Sequence, residues 1–314
     1  MKEHTKLISD FQLTTPVALL IFNRPDTTAR VFQAIAQAKP SKLLVVADGP
    51  RNSRPGEAEK CQETRAIIAG VDWPCEVITH YADTNMGCKL RVSSGISWIF
   101  EQVEEAIILE DDCLPEPTFF RYCQEMLERY RDNERVGMVS GGNLQFGQTR
   151  GQGSYYFSKY THIWGWASWR RAWKHYDRDI VLWPSFRDQG LLEQLFETEG
   201  ERAYWRNSFQ WVHEGSLDTW DVSWTFTALT HGLLQVVPNV NLISNIGFGP
   251  NATHTHVVGV HANLPTQPLS FPLQHPVFVL PDLAADRYIA DDQLAPSFFK
   301  RKWRRLMRML SVKS

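Results

Sequence analysis

Three kinds of feature are missing from this sequence. Its five cysteines (Cys61, Cys75, Cys88, Cys113 and Cys123) make an odd count with no C-x-x-C pair, so neither a disulfide framework nor a cysteine zinc site is expected. Neither charge is in excess: 33 basic residues face 35 acidic ones for a formal net charge of −2. Without a global positive field, nucleic-acid binding is disfavoured. No stretch of about 18 apolar residues occurs, and MKEHTKLISDFQL carries too short an apolar run for a signal peptide. Together these absences lead us to expect a reducing, cytoplasmic setting, with peripheral contact at the inner face of a membrane left open.

What is present is the composition of a water-soluble globular protein with ample core: 314 residues, 43% apolar, 22% charged and 12% aromatic. That length suits one large domain with appended segments, or two closely packed lobes. From Pro16 to Ser140 short apolar runs alternate with amphipathic segments, the pattern of βα units around a mostly parallel sheet. Strands are predicted at Val17–Phe22, Lys42–Ala47, Glu76–Thr79, Ala106–Leu109 and Val136–Ser140. Helices are predicted at Asp26–Ala38, Glu57–Ala69, Lys89–Gln102 and Pro117–Arg131, where apolar residues recur every three or four positions. Asp26 is a candidate cap for the first of these, and Pro117 suits the first turn of the last. The ligand crevice of such a sheet lies at the carboxyl ends of its strands.

Beyond Ser140 the character changes. Residues 141–160 contain five glycines and few aliphatics, which predicts a mobile loop able to order over a ligand. Nine of the twelve tryptophans fall between Trp164 and Trp224, on segments that otherwise look helical. Gln235–Val237 and Asn241–Ile243 resemble short strands. After Gly259 five prolines (Pro265, Pro268, Pro272, Pro276 and Pro281) predict an extended surface arm. The tail 298–314 clusters Lys300, Arg301, Lys302, Arg304, Arg305 and Arg308 among aromatic and aliphatic residues. It reads either as a basic amphipathic segment for an anionic membrane surface or as a docked helix with a solvated charged side.

The sharpest chemical signal is AIILEDDCLP, residues 106–115, where a buried-type strand runs into Glu110, Asp111 and Asp112. Three adjacent carboxylates repel, so a compensating cation is expected. Hard oxygen ligands favour Mg²⁺ or Mn²⁺ held jointly with substrate phosphate oxygens. The bland alternative is an acidic helix-capping turn.

The segment Leu109–Phe120 resembles the metal-binding DxD-type motif of GT-A glycosyltransferases, especially the inverting N-acetylglucosaminyltransferase I group and bacterial haemolytic-protein-like sugar transferases. Further segments match in the same order: PVALLIFNRP (16–25), KPSKLLVVADG (39–49), IWGWASWRRAW (163–173), Trp220-Asp221, and the stretch Val237–His254. The resemblance covers about residues 16–256. It implies a GT-A catalytic domain over 16–258, with a nucleotide-binding half to about 140 and an acceptor half beyond it. An N-terminal extension (1–15), the proline-rich arm (259–297) and the tail flank that domain.

Carried over residue by residue, the resemblance makes Asp112 the metal ligand and sets Glu110 and Asp111 against the donor sugar and ribose. Arg24 and Asp48 would hold the base; without the resemblance they read as a loop cation and a turn residue. Asn85, Gly87 and Lys89 precede a helix whose backbone amides can meet phosphate. Ser93 stands where members of the first group carry a base-contacting histidine, which leaves the nucleotide open. Asp221 is the candidate base that takes the acceptor proton, its affinity for that proton raised by partial desolvation between Trp220 and Trp224. Asp218 is the alternative base, or a helix cap. His254, rather than His256, is offered as a ligand to metal or diphosphate. Trp164, Gly165, Trp166 and Trp220 make a sugar or acceptor platform, with indole faces against the sugar and Gly165 permitting close backbone approach.

The implied activity is an inverting, Mn²⁺- or Mg²⁺-dependent transfer from a nucleotide-diphosphate sugar, UDP-sugar first, to a glycan or lipid-linked acceptor, in bacterial cell-surface polysaccharide synthesis. One rival is a sugar nucleotidyltransferase, which needs a glycine-rich basic loop after the first strand, where this chain has Phe22-Asn23-Arg24-Pro25. Another is a non-catalytic carbohydrate-binding or membrane-active protein on the same fold.

Overall fold

The computed structural model describes residues 11–248 and 262–291. Strand β1 (Val17–Ile21) leads to helix α1 (Pro25–Ala38), β2 (Lys42–Ala47), α2 (Glu57–Ala66), β3 (Glu76–Tyr81), α3 (Cys88–Gln102) and β4 (Glu105–Glu110). There follow β5 (Cys113–Pro115), α4 (Thr118–Tyr130), β6 (Val136–Ser140), β7 (Tyr155–Ser158) and β8 (Trp166–Trp169). Short helical turns precede α5 (Glu199–His213) and α6 (Asp221–Thr230); then come β9 (Leu234–Pro238), β10 (Ile243–Asn245) and α7 (Leu283–Ile289).

Eight strands form one sheet in the order β3-β2-β1-β4-β8-β6-β9-β7, in which β8 and β7 run against the rest. The fold is therefore α/β with a mostly parallel central sheet flanked by helices, as the sequence pattern led us to expect. β1 is buried at every position, as befits a strand covered on both faces. Its alternating side chains feed two cores. Val17, Leu19 and Ile21 pack with Val31, Ile35, Phe119 and Met126, whereas Ala18 and Leu20 pack with Ile96, Ile99 and a tryptophan cluster. The strand order reverses between β1 and β4, which opens a crevice at their carboxyl ends.

Four local expectations are corrected. Arg24, not Asp26, stands at the start of α1, and no side chain caps it; Pro25 opens the helix and Asp26 lies in its first turn, at the positive end of the dipole. The stretch 141–160 is not simply a loop, because β7 within it is wholly buried, and Asn143 and Gln145 are buried with hydrogen bonds to the backbone of Pro238 and Ala285. Residues 166–169 are a strand rather than a helix, hydrogen-bonded between β4 and β6. The proline-rich arm does not merely lie on the surface: Leu269 and Leu273 enter the core, and α7 packs against β7. No helix among the described residues is long and apolar enough to cross a membrane. The tail 298–314 and both His254 and His256 lie outside the described residues.

Candidate active site

A cavity of about 600 Å³ opens at the carboxyl ends of β1, β2 and β4. One wall is built from Arg24, Asp48 and the Glu110-Asp111-Asp112 triplet. Trp164, the Asp218–Asp221 turn and the Asn245–Phe248 loop complete it.

The triplet sits where β4 ends beside β1. Asp111 Oδ2 accepts the Phe22 amide at 3.2 Å, fixing the turn after β4 to the turn after β1. The cation that stands beside these carboxylates is Arg24, which the resemblance sets against the nucleotide base, and whose Nη1 lies 2.6 Å from Asp112 Oδ2 and 3.4 Å from Asp111 Oδ1. One guanidinium does not balance three carboxylates. Burial, reinforced by the charges of Asp112, Asp111 and Asp221, pushes the Glu110 carboxyl up to about 8. Burial also raises Asp111, against the pull of Arg24.

Among the described residues no three His, Cys, Asp or Glu side chains form a metal cage. The site offers one or two hard carboxylate ligands in a pocket short of positive charge. That donor set fits a Mg²⁺- or Mn²⁺-type ion whose remaining ligands come from phosphate and water. Gly247 shapes it, since a Cβ there would lie 2.1 Å from Asp112 Oδ2.

Asp48, at the end of β2, is buried and is raised by that burial. Its Oδ1 accepts the Gly49 and Met86 amides at 2.8 and 2.9 Å, and its Oδ2 accepts Asn85 Nδ2 at 2.8 Å. The carboxylate thus closes the 82–87 loop onto β2, and the cavity meets it only as one wall. Gly49 is obligatory there, because a Cβ would fall within 2.4 Å of the Thr84 backbone. Arg91, a cavity residue that sequence reasoning missed, donates from Nε to Ala47 O at 3.1 Å and from its second terminal nitrogen to His80 O. In the first turn of a helix it carried no signal distinguishing it from a solvated cation.

Lys89 is not in the cavity wall: its Nζ reaches Asp179 at 3.1 Å and the Val212 carbonyl at 3.4 Å. Ser93 is buried and its hydroxyl donates back to Lys89 O at 2.6 Å. The amides at the start of α3 already have an anion. Cys88 N–H donates to Asp218 Oδ2 at 3.1 Å and Lys89 N–H to Asp218 Oδ1 at 2.9 Å. Asp218 therefore caps α3, not the helix that follows it in sequence. Asp221 lines the cavity at the start of α6, and the Thr219 hydroxyl donates to its Oδ1.

The aromatic platform separates into parts. Trp164 lines the cavity, half-buried, with its ring edge-on to Phe248 at 5.8 Å. Trp220 also lines the cavity but is buried, and stacks on Trp166 at 5.7 Å. Trp166 is 1% exposed, enclosed by Trp173, Trp220 and Trp224, so it is core. Gly165 is needed for a different close approach from the one expected. At φ +57° its Cβ would meet Ile243 at 2.4 Å, so its neighbour is protein, not ligand.

No family model matches the chain, and no curated protein matches it. It is similar to the solved structure of 4-diphosphocytidyl-2C-methyl-D-erythritol synthase from Anaerococcus prevotii, with 10% identity and a TM-score of 0.31 over 66% of this chain and 84% of that one. It is also similar to UDP-glucose pyrophosphorylase complexed with UDP-glucose, with 9% identity and a TM-score of 0.34 over 74% of this chain and 93% of that one. The apo form of UDP-glucose pyrophosphorylase matches likewise, with 9% identity and a TM-score of 0.34 over 73% and 93%.

Proposed function

We propose that this protein is a divalent-metal-dependent, inverting glycosyltransferase of GT-A type, moving a sugar from a nucleotide-diphosphate donor, a UDP-sugar first, to a glycan or lipid-linked acceptor. The observation that carries this reading is the meeting, in one cavity, of the Glu110-Asp111-Asp112 triplet with Asp221. Asp112, with Asp111 beside it, would hold Mn²⁺ or Mg²⁺. When bound, such an ion neutralises charge on the departing diphosphate.

The protein's own groups do the rest. Asp221 takes the proton of the acceptor hydroxyl as its oxygen attacks the anomeric carbon. Thr219 holds Asp221 Oδ1, leaving Oδ2 for the acceptor. Glu110, whose carboxyl is raised by burial, would donate a hydrogen bond to a sugar hydroxyl in its protonated form. Trp164 offers its indole to the apolar face of the sugar. Asp48 and Arg91 shape the nucleotide end.

The names of the similar structures belong to the sugar-nucleotidyltransferase class, the rival reading. That class needs a glycine-rich loop after β1. Here the turn is Phe22-Asn23-Arg24-Pro25, with Arg24 committed to Asp112. A thermal-shift panel of nucleotide sugars with Mn²⁺, repeated in EDTA, tests the reading. Stabilisation by a nucleotide-diphosphate sugar that disappears in EDTA is expected. Stabilisation by nucleoside triphosphates at least as large as that by nucleotide sugars favours the rival, and none by any nucleotide favours a non-catalytic binding protein. For residues 298–314 we propose contact with anionic membranes. Their deletion then lowers sedimentation with anionic liposomes, and unchanged sedimentation removes the idea.

A further inference from the structure

Arg24 forms an ion pair with the acidic triplet. One guanidinium nitrogen stands 2.6 Å from Asp112 Oδ2 and 3.4 Å from Asp111 Oδ1, bridging the two carboxylates that would hold a cation. Asp112 is anchored through its backbone and packed on one side. Its carbonyl accepts the Ile246 amide at 2.8 Å, its Oδ1 lies 3.5 Å from Cys113 Sγ, and Gly247 packs against Oδ2 so closely that even a methyl group would not fit. A divalent ion binds a carboxylate oxygen at about 2.0–2.1 Å. It would therefore share Asp112 Oδ2 with a guanidinium, and the two cations repel. The backbone of Arg24 is fixed, because its carbonyl accepts the Thr28 amide at 3.0 Å at the start of α1. Any change of partner falls to the side chain.

We propose that Arg24 is an internal counter-cation that makes metal binding conditional on the donor. Without nucleotide it occupies the Asp111–Asp112 pair. A diphosphate, whose oxygens match the guanidinium fork, draws it off and opens Asp112 to the ion. The inference rests on the glycosyltransferase reading for the identity of the site, and it replaces base recognition as the role of Arg24. By linkage, metal and diphosphate then tighten each other equally, with Arg24 contributing part of the coupling.

The test is Mn²⁺ binding to the full chain, read from the electron paramagnetic resonance of free Mn²⁺, alone and with UDP, inorganic pyrophosphate or uridine. Corrected for the Mn²⁺ that each ligand chelates without protein, UDP and pyrophosphate should each raise the wild type's Mn²⁺ affinity at least tenfold, and uridine should not. Arg24→Met and Arg24→Gln should bind Mn²⁺ alone at least tenfold more tightly than the wild type and show weaker coupling to pyrophosphate. Equal Mn²⁺ affinity of wild type and both variants without nucleotide overturns the proposal. If the variants misfold, the wild-type Arg24 Nε–Cζ nuclear magnetic resonance signal decides: it should shift on adding pyrophosphate in EDTA, and an unmoved signal overturns the proposal. Absence of Mn²⁺ binding in every arm, with UDP present, instead overturns the metal-dependent reading itself.

Discussion

Asp218 takes the Lys89 and Cys88 amides on its two carboxylate oxygens, at 2.9 and 3.1 Å, and so ties the turn before α6 to the first turn of α3. Three residues along, Asp221 keeps one oxygen for Thr219 and faces the cavity. Two nearby aspartates thus have separable duties.

Asp218→Ala should lower stability by about 1 kcal/mol, the usual cost of a lost N-terminal cap, whereas Asp218→Asn should retain most of it. Thermal denaturation reads both. Asp221→Asn should leave the melting temperature near that of the wild type while lowering sugar transfer roughly 10²- to 10⁴-fold. Undiminished transfer in Asp221→Asn means that another group is the base.

Two glycines should fail in different ways. Gly247→Ala places a methyl group on the carboxylate of Asp112, so Mn²⁺-dependent nucleotide binding should weaken by at least tenfold in calorimetric titration while the fold persists. Gly165→Ala forces a side chain at φ +57° into Ile243, within the core, and should instead lower the unfolding midpoint. Weakened binding by Gly165→Ala without loss of stability would return Gly165 to the ligand site.

How far the site was legible in the sequence follows from the same residues. The βα half was readable because β1, β2 and β4 are covered on both faces and α1, α3 and α4 each show one apolar stripe, so these elements and the acidic turn fell where periodicity put them. Trp164 and Trp166 were not separable. Both are tryptophans beside a glycine, and only the left-handed turn at Gly165 and the pairing of β8 between β4 and β6 send one to the cavity and the other to the core. Lys89 follows the same logic. Its position after Gly87 suggested phosphate, but its long side chain goes where Asp179 and the end of α5 lie, and that packing has no local signature.

The tryptophans supply a further test. Trp166→Ala should cost about 3–5 kcal/mol as a large core truncation. Trp164→Ala should cost much less stability and raise the KM for acceptor or donor sugar. Similar losses of stability in both would mean that Trp164 is a packing residue.

Glu110 gives a pH signature. Its carboxyl is raised from the ordinary glutamate range to about 8 in the folded state, so the fold favours the protonated form. The stability this confers is complete below the unfolded-state value and fades as pH climbs through 8. Glu110→Gln should therefore change the melting temperature little at pH 5 and raise it relative to the wild type at pH 9. A difference independent of pH would show that Glu110 is ionised throughout.

The most direct measurement is phosphorus-31 nuclear magnetic resonance of the protein incubated with Mn²⁺, a UDP-sugar and, in a parallel tube, inorganic pyrophosphate. Release of UDP as water, in the absence of the acceptor, takes the sugar, with Mn²⁺ required and pyrophosphate irrelevant, is the result expected of the cavity described here. Formation of UTP only when pyrophosphate is present would contradict it and establish nucleotidyl transfer in its place.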